Sequence, residues 1–142
     1  MVKYIYGTEN IGWSQLFALY EKVGLLKRFI KDKNYEAIKS GFLNSFKVVT
    51  ARDGDKLVGA GRMISDGRCY GMIFDLGILP EYQKKGIGRN IVLNLLKDCE
   101  NMTIHLTSTF GNEGFYKKLG FRKHKTAYSR YPFKSDYVEE EE

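Results

Sequence analysis

Proline and cysteine are scarce in this 142-residue chain, with two of each. Cys69 and Cys99 lie far apart and match no Cys-x-x-Cys spacing for a metal or a redox pair, so both are expected to be reduced, mostly buried thiols of a cytoplasmic protein. No metal site is visible in the sequence. No apolar run approaches the roughly 18 residues that span a bilayer, so no membrane partner is expected. Met1-Val2-Lys3-Tyr4-Ile5-Tyr6 reads as a short strand and not as a secretory leader. There are no internal repeats and no linker rich in proline, glycine or serine. A single domain over residues 1–138 is therefore expected, followed by an acidic, disordered tail at 139–142.

What is present is an ordinary globular composition, 43% hydrophobic, at a length that supports a real core. Lysine and arginine number 23 against 17 acids, a formal charge of +6. Four of those acids sit in the tail, Glu139 to Glu142, so the body of the chain is more basic than the total suggests. Excess positive charge favours an anionic partner, whether a phosphorylated ligand or nucleic acid.

Periodicity divides the chain. Trp13, Leu16, Phe17 and Tyr20 form one apolar stripe on a helix from Gly12 to Val23. Leu25 to Tyr35 reads as a basic, irregular connection, and Tyr35 to Phe42 as a second helix. Strands follow at Phe46 to Arg52 and Leu57 to Ile64, with turns at Asp53-Gly54-Asp55-Lys56 and Ser65-Asp66-Gly67-Arg68 leading to Tyr70 to Leu79. A helix from Gly88 to about Cys99 buries Ile91, Val92, Leu95 and Leu96. Met102 to Ser108 reads as a strand, Asn112 to Leu119 as a short helix stopped by Gly120, and Phe121 to Phe133 as the region of a last strand. The order β-α-α-β-β-β-α-β-α-β predicts an α/β fold of the mixed kind, a central mixed sheet flanked by helices.

Gln83-Lys84-Lys85-Gly86-Ile87-Gly88-Arg89 is the most informative stretch. It joins a strand to a helix, so unpaired backbone N–H groups and the positive end of the helix dipole meet at one spot. A phosphate or pyrophosphate suits that spot. A P-loop would need Lys-Ser/Thr after its last glycine, and Arg89-Asn90 follows Gly88. A dinucleotide fold would need a third glycine where Ile91 stands, and no second βαβ unit with an acidic ribose ligand is evident.

With Asp75-Leu76-Gly77-Ile78-Leu79-Pro80-Glu81-Tyr82 before it, Gln83-x-x-Gly86-x-Gly88 resembles the acetyl-CoA motif of the GCN5-related N-acetyltransferases (GNAT). Asn112-Glu113-Gly114-Phe115-Tyr116-Lys117-Lys118-Leu119-Gly120-Phe121 resembles the family's Phe-Tyr-x-x-x-Gly-Phe signature. The element order matches as well, so the resemblance covers nearly the whole chain. It implies an acetyl-CoA-dependent N-acetyltransferase that needs no metal and works by direct attack of a primary amine on the thioester. The pantetheine arm would pair with the backbone of Leu76, Gly77 and Ile78 as an added strand does. One such N–H would polarise the thioester carbonyl, an effect of about 3–4 kcal/mol by analogy with other oxyanion donors. Gln83, Lys84, Lys85, Gly86, Ile87, Gly88 and Arg89 would hold the pyrophosphate, with Asn112 and Phe115 as further cofactor contacts.

The resemblance gives Tyr116 the role of general acid toward the departing thiolate. A phenol near pKa 10 donating to a thiolate near 8.5 is uphill by about 2 kcal/mol, so a stabilising hydrogen bond is as reasonable as full transfer. On the amine side, reaching the neutral form of an alkylamine costs about 4.6 kcal/mol at neutral pH, so a base or a water chain is expected. The Glu or His that some relatives carry on the fourth strand is replaced here by Met72 and Phe74. Asp75, immediately before Leu76, is a candidate placed in a way that resembles glucosamine-phosphate acetyltransferases, although strand alternation would turn it to the other face from Phe74. Glu81 and His105 are weaker candidates. Lys27, Arg28, Lys31 and Lys33 can attract an anionic substrate, and Tyr128, Tyr131 and Phe133 can wall an apolar one.

The acceptor implied is a small primary amine, such as an amino sugar, a polyamine or an arylalkylamine, with a peptide or protein amine as the alternative. A basic nucleic-acid-binding module built on Arg122-Lys123-His124-Lys125 is a different reading, but no nucleic-acid motif accompanies it. A CoA-binding sensor without catalysis is a third. A homodimer is left open.

Overall fold

In the computed structural model, which describes residues 1–140, the strands are β1 (Val2–Tyr6), β2 (Lys47–Asp53), β3 (Lys56–Ser65), β4 (Tyr70–Ile78) and β5 (Thr103–Leu106). The helices are α1 (Trp13–Val23), α2 (Lys27–Lys31), α3 (Tyr35–Leu43), α4 (Ile87–Leu96) and α5 (Glu113–Lys118), with a 3₁₀ turn at Pro80–Tyr82. The expected mixed sheet with flanking helices is observed. The strands lie in chain order; β1 to β4 are antiparallel, and β5 runs parallel to β4. The described residues divide into two units, Met1–Thr107 and a second that begins at Ser108. Glu141 and Glu142, half of the expected tail, lie outside the described residues.

The first unit holds the sheet and the core. One core layer gathers Leu16, Leu19 and Tyr20 of α1, Ile38 and Phe42 of α3, and Val48, Leu57 and Ala60 of the sheet. On the other face α4 buries Ile87, Ile91, Val92 and Leu95. Gly61 explains how closely α4 approaches, because an added Cβ there would stand 3.0 Å from Ile91 Cγ2 and 3.3 Å from Leu95 Cδ1. The helix stops at Leu96, short of the expected Cys99, where Lys97 turns extended and Asp98 takes φ 63°. Lys47 of β2 closes that end by donating from Nζ to Leu95 O at 3.2 Å and to Lys97 O. An ammonium there meets the negative end of the helix dipole.

Two local expectations are corrected. The connection after α1 is not wholly irregular: Leu26 at φ 55° starts the single turn α2, which packs Phe29 and Ile30 against the core. Those two apolar residues inside a basic stretch are what give it a face to bury. No strand forms between Phe121 and Phe133. Arg122 to Lys125 place polar side chains at successive positions, where a half-buried strand needs alternation, and residues 122–130 are exposed throughout. In the second unit Tyr131 and Phe133 instead make an edge-to-face pair at 5.5 Å.

Replacing Lys47 with Met keeps the apolar stem and removes the cap. We expect a loss of about 1–2 kcal/mol in urea unfolding, the low end for charge-assisted bonds, because one carbonyl is part-buried and the other exposed. An unchanged midpoint would remove the cap from the account.

Candidate functional site

The fourth strand is where the sheet departs from regularity. In the β3–β4 ladder Arg62 opposes Phe74 and Ala60 opposes Gly77. Gly61 therefore faces both Asp75 and Leu76, a β-bulge on β4 with Asp75 at φ 59°. Two groups hold the extra residue. The Tyr20 hydroxyl, fully buried under α1, donates to Asp75 O at 2.5 Å, and Arg62 Nε donates to Asp75 Oδ2 at 2.8 Å. Arg62 is itself fixed: Nη1 donates to Gly41 O at 3.2 Å and Ser45 Oγ at 3.3 Å, and the guanidinium lies 5.5 Å from the Phe42 and Phe74 ring centres. The expectation that alternation separates Asp75 from Phe74 is thus overturned, because the bulge brings both to the same guanidinium.

The bulge also bounds the pairing with β5. That strand is four residues long and pairs with Tyr70 to Ile73. Beyond Ile73, no strand of the described residues pairs with Phe74, Asp75, Leu76, Gly77 or Ile78 on that side. An ordinary closed sheet would have left no free edge there. His105, which faces Met72 in the register, belongs to the paired half.

Past β4 the chain enters the glycine turn. Gln83 does not point outward; its Nε2 donates to Ile78 O at 3.0 Å and ties the loop to the strand end. Lys84 at φ 63° and Gly86 at φ 83° turn the backbone, and Gly86 is the N-cap of α4 without any side-chain cap. The N–H groups of Lys84, Lys85, Gly86, Ile87, Gly88 and Arg89 donate to no acceptor among the described residues, whereas Asn90 N–H begins the helical bonds at Gly86 O. Ile87, 4% exposed, anchors the turn in the core. The row of N–H groups and the open end of the helix dipole fit a pyrophosphate. Lys85 Nζ and Lys56 Nζ each lie 5.5 Å from the centre of the Tyr82 ring, whose hydroxyl donates to Asp53 Oδ2 at 2.6 Å.

Asp75 also borders a cavity of about 90 Å³, walled by Leu26, Phe29, Ala37, Ile38, Phe42 and Arg62. In the second unit, Asn112 precedes α5 and donates from Nδ2 to Thr109 Oγ1 at 2.5 Å. Tyr116 packs edge-on against Phe115 at 5.0 Å and Phe121 at 6.0 Å. Burial raises the Tyr116 pKa above the ordinary phenol value, which makes complete proton transfer to a thiolate still less favourable. Among the described residues no cluster of His, Cys, Asp and Glu could hold a metal, and no helix is long and apolar enough to cross a membrane.

Sequence reasoning reached the glycine turn and the strand before it but missed Tyr20 and Arg62. Tyr20 read as part of a core stripe. Arg62 carried a usable signal, since a charge inside the apolar run Leu57 to Ile64 needs a buried partner.

Comparison with known proteins bears on this arrangement. The family model for the acetyltransferase (GNAT) domain matches residues 16–131. An uncharacterized N-acetyltransferase, ycf52, of Pyropia yezoensis is 31% identical over 124 residues, which cover 84% of this chain and 70% of the relative. The crystal structure of a probable acetyltransferase from meticillin-resistant Staphylococcus aureus superposes with a TM-score of 0.74 at 28% identity, covering 92% of this chain and 100% of that one. Glucosamine-6-phosphate N-acetyltransferase from Arabidopsis thaliana shares the fold at TM-score 0.64 and 18% identity, over 94% of this chain and 99% of that one.

The Tyr20 hydroxyl has a pKa well above the usual value, through burial first and then the nearby Asp75 charge, with Arg62 opposing. Its folded pKa lies above the unfolded one, so its contribution is complete below about pH 10 and is lost as pH rises further. Tyr20→Phe should cost about 1 kcal/mol at pH 8, and its gap from wild type should narrow above pH 10 in urea unfolding. A gap that stays constant with pH would contradict the buried, protonated hydroxyl.

Proposed function

The chain belongs to the GNAT acetyltransferase family and is an N-acetyltransferase, and from that premise we propose that it moves an acetyl group directly from acetyl-CoA to a primary amine of a small molecule. In this reading residues 1–138 act as one N-acetyltransferase domain. One observation carries the proposal. The unpaired end of β4, Phe74 to Ile78, leads through the 3₁₀ turn Pro80–Tyr82 into the unpartnered N–H row of Lys84 to Arg89. An extended amide-bearing chain with a pyrophosphate at one end fits both, the arm along Leu76, Gly77 and Ile78 and the diphosphate at the turn. Lys85 and Arg89 add charge, Gln83 braces the loop, and Asn112 and Phe115 give further contacts.

The acceptor enters at the cavity beside Asp75. Oδ2 of Asp75 is taken by Arg62, so Oδ1 receives the ammonium and orients it toward the thioester. Once the amine has lost a proton to water or to Asp75, its nitrogen attacks the carbonyl carbon. A C–N bond forms, the C–S bond breaks, and the oxyanion is met by a backbone N–H of the free edge. As the C–S bond breaks the nitrogen gives its second proton to water, and the sulfur leaves as thiolate, stabilised by a hydrogen bond from Tyr116, and takes up a proton from solvent. Amino sugars, polyamines and arylalkylamines are the acceptor classes considered.

Thiol release from acetyl-CoA in the presence of such amines tests the reaction. Tyr116→Phe should lower kcat by about tenfold or more while acetyl-CoA affinity stays nearly unchanged. An unchanged kcat would remove Tyr116 from the mechanism.

A further inference from the structure

One wall of the cavity beside Asp75 and a basic turn of the first unit come from the same short segment, α2 and its N-cap Leu26. Leu26 and Phe29 wall the cavity, while Lys27, Arg28 and Lys31 of α2, with Lys33 after it, are exposed. Arg28 lies over the Phe29 ring at 5.2 Å. Lys27, Lys31 and Lys33 have no ion-pair partner among the described residues. Two acids are close in sequence, Asp32 and Glu36, both exposed, and neither engages these lysines. Lys27 and Lys31 stand four residues apart, so they share a helix face and repel each other across it. A short helix that keeps such a pair unneutralised offers positive charge to something outside the chain.

We propose that the acceptor amine carries an anionic group, a phosphate or a carboxylate, at the end remote from its nitrogen. The inference rests on the reading that the cavity at Asp75 receives the amine. The two polar ends are matched by opposite charges: the Asp75 carboxylate for the ammonium, and the lysines of α2 for the anion. Leu26, Phe29, Ile38 and Phe42 supply the apolar walls of the cavity. A polyamine would bring its second cation toward Lys27 and Lys31, so this surface disfavours it among the acceptor classes above. The field of the turn also raises the local concentration of anionic acceptors and loses strength with salt.

The test compares matched amines that differ only in the anionic group. Glucosamine is set against glucosamine 6-phosphate, and phenethylamine against 4-(2-aminoethyl)benzoate, with wild type and with Lys27→Glu/Lys31→Glu. Binding of each amine to the CoA-loaded protein is measured beside turnover. The anionic member of at least one pair should show about tenfold higher kcat/KM, chiefly through KM, and the advantage should collapse in the double variant and in about 0.5 M salt. The Kd of acetyl-CoA should be the same in both proteins. Equal efficiency within both pairs, or a preference that the double variant retains, overturns the anionic acceptor and leaves N-acetyl transfer standing. No binding and no turnover of any of the four, with acetyl-CoA still bound, overturns the acceptor reading at Asp75 together with the inference.

Discussion

The extra residue in β4 is the constraint on which the rest of this structure depends. A regular strand would have carried its pairing with β5 along its full length, and its side chains would have alternated across the sheet. Instead Asp75 and Leu76 share one partner on β3, the strand twists, and the half beyond Ile73 has no β5 partner. Bulges re-aim strands in this way at functional edges. This one needs support, because Asp75 at φ 59° has no glycine's freedom. The support comes from both sides of the residue: the Tyr20 hydroxyl on its carbonyl and the Arg62 guanidinium on its carboxylate. Both supports are buried or nearly so, where a hydrogen bond left unmade is most costly. The core layer under α1 and α3 is therefore also the frame of the candidate site.

The helix after the bulge is asymmetric in a way that serves the same site. Its C-terminal carbonyls are closed by Lys47 from β2, while its N-terminus has no side-chain cap. An uncapped helix start facing solvent leaves N–H groups for water or for an anion. Here the turn before it adds further N–H groups without an acceptor among the described residues, and the Gln83 side chain holds the loop to β4. Burial of Ile87 and Ile91 fixes the helix start against the sheet. The positive end of α4 is thus presented by a rigid element, and preorganisation of that kind is what makes backbone N–H groups effective toward a charged ligand.

Much of this was legible in the sequence, and the reasons for the rest are specific. The turn was legible because glycine spacing and the flanking apolar runs report backbone geometry directly. The helix stripe of α1 was equally clear, yet periodicity cannot tell that Tyr20 ends in a hydroxyl aimed at a carbonyl on another element. Strand alternation misplaced Asp75 because a bulge is one residue of slippage, invisible to a period of two. Arg62 was readable only as a charge in an apolar strand, and its partner Asp75 lies across the hairpin in the bulge, one residue out of register. The expected last strand is absent because the exposed run from Arg122 to Lys125 offers no face to bury.

The central claim is that the free end of β4 and the turn after it form one binding surface for acetyl-CoA. Thermal unfolding with acetyl-CoA at about 100 times its Kd, against ATP and NAD at the same concentration, tests it most directly. The account predicts a rise of several degrees specific to the CoA thioester, the consequence of about 2.7 kcal/mol of linked stabilisation. No shift with acetyl-CoA or any other CoA thioester would contradict it.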